Sequence, residues 1–211
     1  MSRYLESRTR LSRRVGRNLF LKGPRSFSAK DDVSKRPHRT SKKDGRPARI
    51  KLSEYGKQLQ EKQAIRYTYG LQERQIANLF KKAFTIPGDT GKTVLTLLER
   101  RLDNVVYRAG LANSRAQARQ LVNHGQFQVN GKDVNIPSFS VSVGDVVTVK
   151  PTKKASEFWK NFQLLIPNES PAWIDNSKSL EIKVINLPLD SDLPQEFKVS
   201  QVVEYYSRKV R

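Results

Sequence analysis

Arg115 and Arg119 stand four residues apart in the stretch SRAQARQLVNHGQFQVNG, residues 114–131. On a helix that spacing puts both guanidinium groups on one face. Each is a planar fork of N–H donors that matches phosphate oxygens. Both sit in the front half of a short helix, whose free N–H groups also favour anions. His124 follows at the helix end and Lys132 in the adjacent turn, and the stretch has no acid and no cysteine. Such a set can hold a phosphate backbone. The plainer alternative is a solvated helix face, and the charge of the whole chain decides against it.

The chain has 211 residues, with 40 Lys and Arg against 20 Asp and Glu, a formal net charge of +20. Self-repulsion on that scale points to a polyanionic partner, nucleic acid first and an anionic membrane surface second. The excess is front-loaded, because residues 1–50 hold 16 basic and 4 acidic side chains. No stretch approaches the roughly 20 apolar residues that cross a bilayer. The amino terminus lacks the apolar segment of a secretory signal. With no cysteine anywhere, disulfides, thiolate nucleophiles and thiolate metal sites are excluded.

Catalytic signals are weak. Gly91-Lys92-Thr93 resembles the tail of a phosphate-binding loop, but Ile86 stands where that loop needs its first glycine. A turn, with Asp89 or Thr90 starting a helix, accounts for it. The acids are scattered among lysines and arginines, so no catalytic residue, metal site or cofactor is assigned.

The elements that must position the arginines follow from apolar spacing. Residues 4–20 pattern as a short basic helix, with Leu11, Val15 and Leu19 at four-residue intervals and Arg10, Arg13, Arg14 and Arg17 on other faces. Residues 22–49 are poor in apolar groups, so the composition predicts a segment that stays mobile without its polyanionic partner. Ser53 is placed to cap a helix that Leu59 buries and Gly70 ends; Ile76, Leu79, Phe80 and Phe84 mark the next. VLTLLERRLDNVVYRAG reads as one helix with Leu98, Leu102, Val105 and Ala109 on one side, ended by Gly110. Ser114 and Gln117 fit a capping box for a helix over 115–123, ended by Gly125.

From there the period changes to two. Phe127 and Val129 alternate up to an Asn130-Gly131 turn, and Val141, Val143, Val147 and Val149 flank a turn at Gly144-Asp145. A small module of two helices and few strands over about 100–150 fits this pattern. SLEIKVINLP predicts a strand, and EFKVSQVVEYY a strand or short helix. Trp159, Phe162 and Trp173 read as core. No motif of adjacent surface aromatics for base stacking is visible, so shape, phosphate and sugar contacts are implied, and structured RNA is preferred over DNA.

These residues carry a resemblance. RLDNVVYRAGLANSRAQARQLVNHGQFQVNGKDVNIPSFSVSVGDVV (101–147), with RYLESRTRLSRRVGRNLFLKG, RIKLSEYGKQLQEKQAIRYTYGLQERQ and VVEYYSRKV, resembles the small-subunit ribosomal protein S4 family of the bacterial type (uS4) over nearly the whole chain. The resemblance implies an α+β fold: a mostly helical N-terminal body, an inserted small S4-type RNA-binding module of two short helices and short antiparallel strands, and a basic extended N-terminal arm. The expected divisions are 1–49 arm and connector, 50–99 helical body, 100–150 module, and 151–211 packing back on the helical body. Its implied function is that of a structural constituent of the small ribosomal subunit, binding 16S-type ribosomal RNA of the 5′ domain directly and early and supporting decoding accuracy.

The resemblance also implies ribosomal proteins S5 and S3 as partners, beside the channel by which messenger enters the subunit, with no membrane and no homo-oligomer expected. The implied location is the cytoplasmic ribosome, with an organellar one left open. RNA contact carries over to Tyr4, Arg13, Arg14 and Arg17 in the front arm, and to Arg115, Arg119, His124, Asn130 and Lys132 in the module. Some relatives hold zinc through amino-terminal cysteines; Thr9 occupies one such place here, so that site is impossible. S4-type modules also occur on RNA-modifying enzymes and free-standing RNA-binding proteins. Those rivals explain neither the long matched front and end segments nor the scattered acids.

Overall fold

The structure, a computed structural model, describes residues 7–28, 42–43, 46–47, 52–162, 170–176 and 180–210. The chain forms two compact units, one of Met1–Thr85 with Gln195–Arg211 and one of Ile86–Pro194.

In the first unit, helix α1 (Arg8–Val15) buries Leu11 and Val15. Gly16 ends it at φ 75°, a left-handed conformation that lets its N–H reach the Ser12 and Arg13 carbonyls. The helix is therefore shorter than the apolar spacing suggests, although Leu19 is still buried beyond its end. A 3-10 turn, Gly23–Phe27, follows. Ser26 ties it back: its Oγ accepts from Lys22 N at 3.2 Å and its carbonyl from Asn18 Nδ2 at 2.8 Å. Residues 22–28, expected to be mobile, are thus folded by local hydrogen bonds; residues 29–41 lie outside the described ones. Strands β1 (Lys42–Lys43) and β2 (Arg46–Pro47) pair antiparallel.

Helix α2 (Glu54–Thr68) starts where Ser53 Oγ accepts from Gly56 N at 3.2 Å. Helix α3 (Glu73–Phe84) buries Ile76, Phe80 and Ala83 and leaves Phe84 exposed. The ambiguous carboxyl-terminal stretch is a helix, Val199–Val210, packed on α2 and α3. Its Tyr206 stacks on Phe80 with ring centroids 4.4 Å apart and donates to Glu73 Oε1 at 3.0 Å. Glu73 also accepts from Lys62 at 2.8 Å and Arg66 at 3.2 Å. Burial pushes its carboxyl up, but the Lys62, Tyr206 and Arg66 hydrogen bonds and the Lys62 charge outweigh this and hold it below the usual range.

In the second unit, Asp89 caps helix α4 (Thr90–Glu99) by accepting from Gly91 N at 2.8 Å and Lys92 N at 3.3 Å. The expected single helix then breaks. Arg101 is extended (φ −68°, ψ 138°) and helix α5 runs from Leu102 to Arg108. The cause is non-local: Arg101 bridges Ser140, and Leu102 N donates to Phe139 O at 2.8 Å. Leu98, Leu102, Val105 and Ala109 are nevertheless all buried. Helix α6 (Arg115–Asn123) begins where Ser114 Oγ accepts from Gln117 N at 3.2 Å. Gln117 returns its Oε1 to Asn113 N at 2.8 Å, one residue short of the reciprocal capping bond expected.

The sheet has five antiparallel strands in the order β4 (Lys132–Val134), β3 (Phe127–Val129), β5 (Val146–Val149), β7 (Glu181–Val184) and β6 (Ile174–Asp175). Strands β3 (Phe127–Val129) and β4 (Lys132–Val134) meet at Asn130 (φ 50°) and Gly131 (φ 76°), both left-handed as a two-residue hairpin of this hand demands. Strand β5 (Val146–Val149) is shorter than the valine pattern suggests. Val141 is buried outside any strand, its N–H bonded to Arg100 O, and Val143 is exposed.

Strands β6 (Ile174–Asp175) and β7 (Glu181–Val184) join the same sheet, β7 lying against β5. Ile174–Asp175 and Glu181–Val184, expected to pack back on the helical body, therefore extend the module's sheet, and Gln195–Arg211 belongs to the first unit. Trp159 and Trp173 are core, as expected. Trp159 meets Phe127 edge-on at 5.8 Å and donates to Gln126 Oε1 at 3.0 Å.

Candidate nucleic-acid interface

Two buried acids organise the helix pair that carries Arg115 and Arg119. Glu99, at the end of α4, is fully buried. It accepts from Arg108 Nε at 2.9 Å and NH2 at 3.0 Å, and from Asn104 Nδ2 at 2.8 Å. Asn104 passes its other side-chain atom onward, Oδ1 accepting from Arg115 Nε at 2.9 Å. Arg115 lies over the Tyr107 ring at 4.6 Å. The chain Arg108–Glu99–Asn104–Arg115 orients a cation at the helix start through a neutral relay.

The second acid, Asp103, forms a bidentate pair with Arg101, Nε to Oδ1 at 3.0 Å and NH2 to Oδ2 at 2.7 Å. Arg119 NH1 lies 3.8 Å from the same Oδ2. Burial lowers the Arg119 guanidinium pKa, the Asp103 charge raises it and the Arg101 charge lowers it again; the net direction is down. Arg115 and Arg119 thus reach consecutive residues of α5, Asn104 and Asp103, and share the face of α6 that the four-residue spacing predicts.

The remaining module residues differ in kind. His124 is exposed at the end of α6. Asn130 locks the hairpin: its Nδ2 donates to Asp145 Oδ1 at 2.8 Å, and its Oδ1 accepts from Val146 N at 2.9 Å. Lys132 is exposed just past that turn. The phosphate-loop resemblance at Gly91-Lys92-Thr93 is occupied from within, because Asp89 takes the two N–H groups and Asp190 takes the Lys92 ammonium.

Residues 3–99 match the model of the ribosomal protein S4/S9 N-terminal domain, and residues 100–147 that of the S4 domain. Proteins named small ribosomal subunit protein uS4 align along the whole chain. The one from Clostridioides difficile (strain 630) is 43% identical over 209 residues, covering 99% of this chain and 100% of its own. The one from Caldicellulosiruptor saccharolyticus is 45% identical over 210 residues with the same coverage, and that from Dehalococcoides mccartyi 44% over 210, again with the same coverage.

The chain belongs to the uS4 family of small ribosomal subunit proteins.

In this uS4-family chain the described front residues lie on the first unit. Arg14 is exposed and Arg13 half-buried in the last turn of α1. Arg17 has internal partners: NH1 and NH2 donate to Glu61 at 3.1 and 2.9 Å, NH1 also donates to Glu196 O at 3.0 Å, and the group lies 5.4 Å from the Phe197 ring. Tyr4 lies outside the described residues.

Sequence reasoning missed two things. It saw the acids as scattered, whereas Glu99 and Asp103 are the buried posts on which the arginines stand. It also saw no adjacent surface aromatics, whereas Phe20 and Phe27 stack at the surface with centroids 4.8 Å apart. The first had a signal in E-R-R-x-D (99–103), two acids flanking two arginines where the helix pair begins. The second had none, because the rings are seven residues apart. Among the described residues, no helix is long and apolar enough to cross a membrane.

Proposed function

We propose that this chain is a structural constituent of the small ribosomal subunit, binding 16S-type ribosomal RNA directly as a primary assembly protein. The observation that carries the reading is the arginine pair on α6, anchored through Asn104 and Asp103 to a helix pair whose acids are buried. A guanidinium held in place before its ligand arrives loses less entropy on binding phosphate. The net charge of +20 supplies the long-range attraction and a salt-dependent affinity. The relatives, aligned end to end, are named as small-subunit proteins.

Within this reading Arg115, Arg119, His124 and Lys132 meet RNA on the second unit, with Asn130 shaping the hairpin. Tyr4, Arg13 and Arg14 do so on the first. Arg17 braces that surface. The 5′ domain of the ribosomal RNA is the target, ribosomal proteins S5 and S3 are neighbours near the channel by which messenger enters, and the chain supports decoding accuracy from that place. The cytoplasmic ribosome is the proposed location.

Sedimentation with purified small subunits, followed by mapping of protein–RNA cross-links, tests the assignment. Cross-links from α6 and α1 to the 5′ domain are expected. Co-sedimentation without any cross-link from α6 overturns the arginine assignment, and failure to co-sediment overturns the ribosomal one.

A further inference from the structure

Among the described residues of the front segment, Phe20 and Phe27 form a feature that phosphate binding leaves unexplained. Their rings stack with centroids 4.8 Å apart and planes 28° from parallel, yet they are 37% and 57% exposed. Water-facing stacked phenyl rings gain little from each other compared with burial, so the surface has a use or a cover. We propose that the pair is a stacking platform for an unpaired nucleobase of RNA, which deepens the RNA-binding reading above and rests on it.

The platform is built rather than incidental. Phe20 has φ 50°, a left-handed conformation that is unfavourable for a residue with a side chain. Three hydrogen bonds hold the segment there. Phe20 N donates to Asn18 Oδ1 at 2.9 Å, Asn18 Nδ2 to Ser26 O at 2.8 Å, and Lys22 N to Ser26 Oγ at 3.2 Å. Asn18 thereby ties the backbone of Phe20 to that of Ser26, the residue before Phe27. Ser26 is buried, which anchors the far end of the pair. Backbone strain of this kind persists where its surroundings over-determine it, and it is concentrated at binding sites.

Charge selects the partner. Residues 7–28 contain seven Lys and Arg and no acid, with Lys22 and Arg25 lying in sequence between the two rings. A nucleobase offers a flat π-face for the rings and brings phosphates for those cations. Bases within a duplex already stack on their neighbours, so an unpaired one is the occupant.

The test uses the full chain with two probes, a short oligoadenylate and an abasic ribose-phosphate oligomer of equal length and charge. The chain should prefer the adenylate by about tenfold, the order of one stacked base. Phe27→Leu should reduce the preference and Phe20→Leu with Phe27→Leu should remove it, with abasic affinity and far-ultraviolet circular dichroism unchanged. Phe27→Leu leaves the strained position untouched, so the test survives if the double variant unfolds. Equal wild-type affinity for both oligomers overturns the platform while leaving phosphate binding intact. A preference that persists in Phe27→Leu and in the folded double variant also overturns it. So does equal loss of both probes on substitution. Binding of neither probe by the wild-type chain overturns the RNA reading and the platform together.

Discussion

The Arg115 guanidinium lies over the Tyr107 ring, its central carbon 4.6 Å from the ring centroid. With the Nε bond to Asn104, this sets the plane of the fork before any anion arrives. Lysine can keep the charge but neither the planar stack nor the fork. Arg115→Lys is therefore expected to weaken RNA binding by about 1–2 kcal/mol. Filter binding over a range of salt checks this, and the salt slope should be nearly that of the wild type because the number of cations is unchanged.

Glu99 should matter more to folding than to binding. It is fully buried with a bidentate arginine and an amide donor. Glu99→Ala leaves Arg108 without its counter-charge and is expected to lower the stability of the second unit by about 3 kcal/mol. The chain's only tryptophans, Trp159 and Trp173, both lie in that unit, so tryptophan fluorescence during urea unfolding reads it selectively.

Glu73 gives the first unit an acid limit. Its folded carboxyl titrates below the unfolded one, because the Lys62, Tyr206 and Arg66 interactions outweigh its burial. The stabilisation is thus fully present above the unfolded carboxylate pKa, about 4.3, and is lost as pH falls through the lower folded value. Glu73→Gln should lower stability at neutral pH and flatten this acid dependence. Thermal unfolding from pH 3 to 7 followed by tyrosine circular dichroism measures it, since the first unit holds Tyr205 and Tyr206 but no tryptophan.

Arg17 separates bracing from RNA contact. Its bidentate bond with Glu61 and its bond to the Glu196 carbonyl join α2 to the segment leading into the carboxyl-terminal helix. Arg17→Ala is expected to cost about 2 kcal/mol of stability, the order of a charged hydrogen-bond pair. An unchanged melting temperature with weakened RNA binding would make it a contact residue instead.

The local signals were legible. Ser53, Asp89 and Ser114 cap the helices they precede, Asn130-Gly131 turns the hairpin, and α6 occupies the predicted residues 115–123. These depend on side chains one to four residues away, which a sequence displays directly. The break at Arg101 was not legible, because it is made by backbone bonds to residues 137–141. Nor was the junction of β7 with β5, since 31 residues separate the end of one from the start of the other. In the site, the arginine pair was visible from its spacing. Its dependence on Glu99 and Asp103 required the fold, because burial is what turns a scattered acid into a post.

The most direct measurement is the affinity of the full chain for a transcript of the 5′ domain of small-subunit ribosomal RNA, against an unrelated RNA duplex with the same number of phosphates at the same salt. Tighter binding to the ribosomal transcript, lost when Arg115 and Arg119 are both replaced in a chain that remains folded, is the predicted result. Equal affinity for the two RNAs would contradict the account.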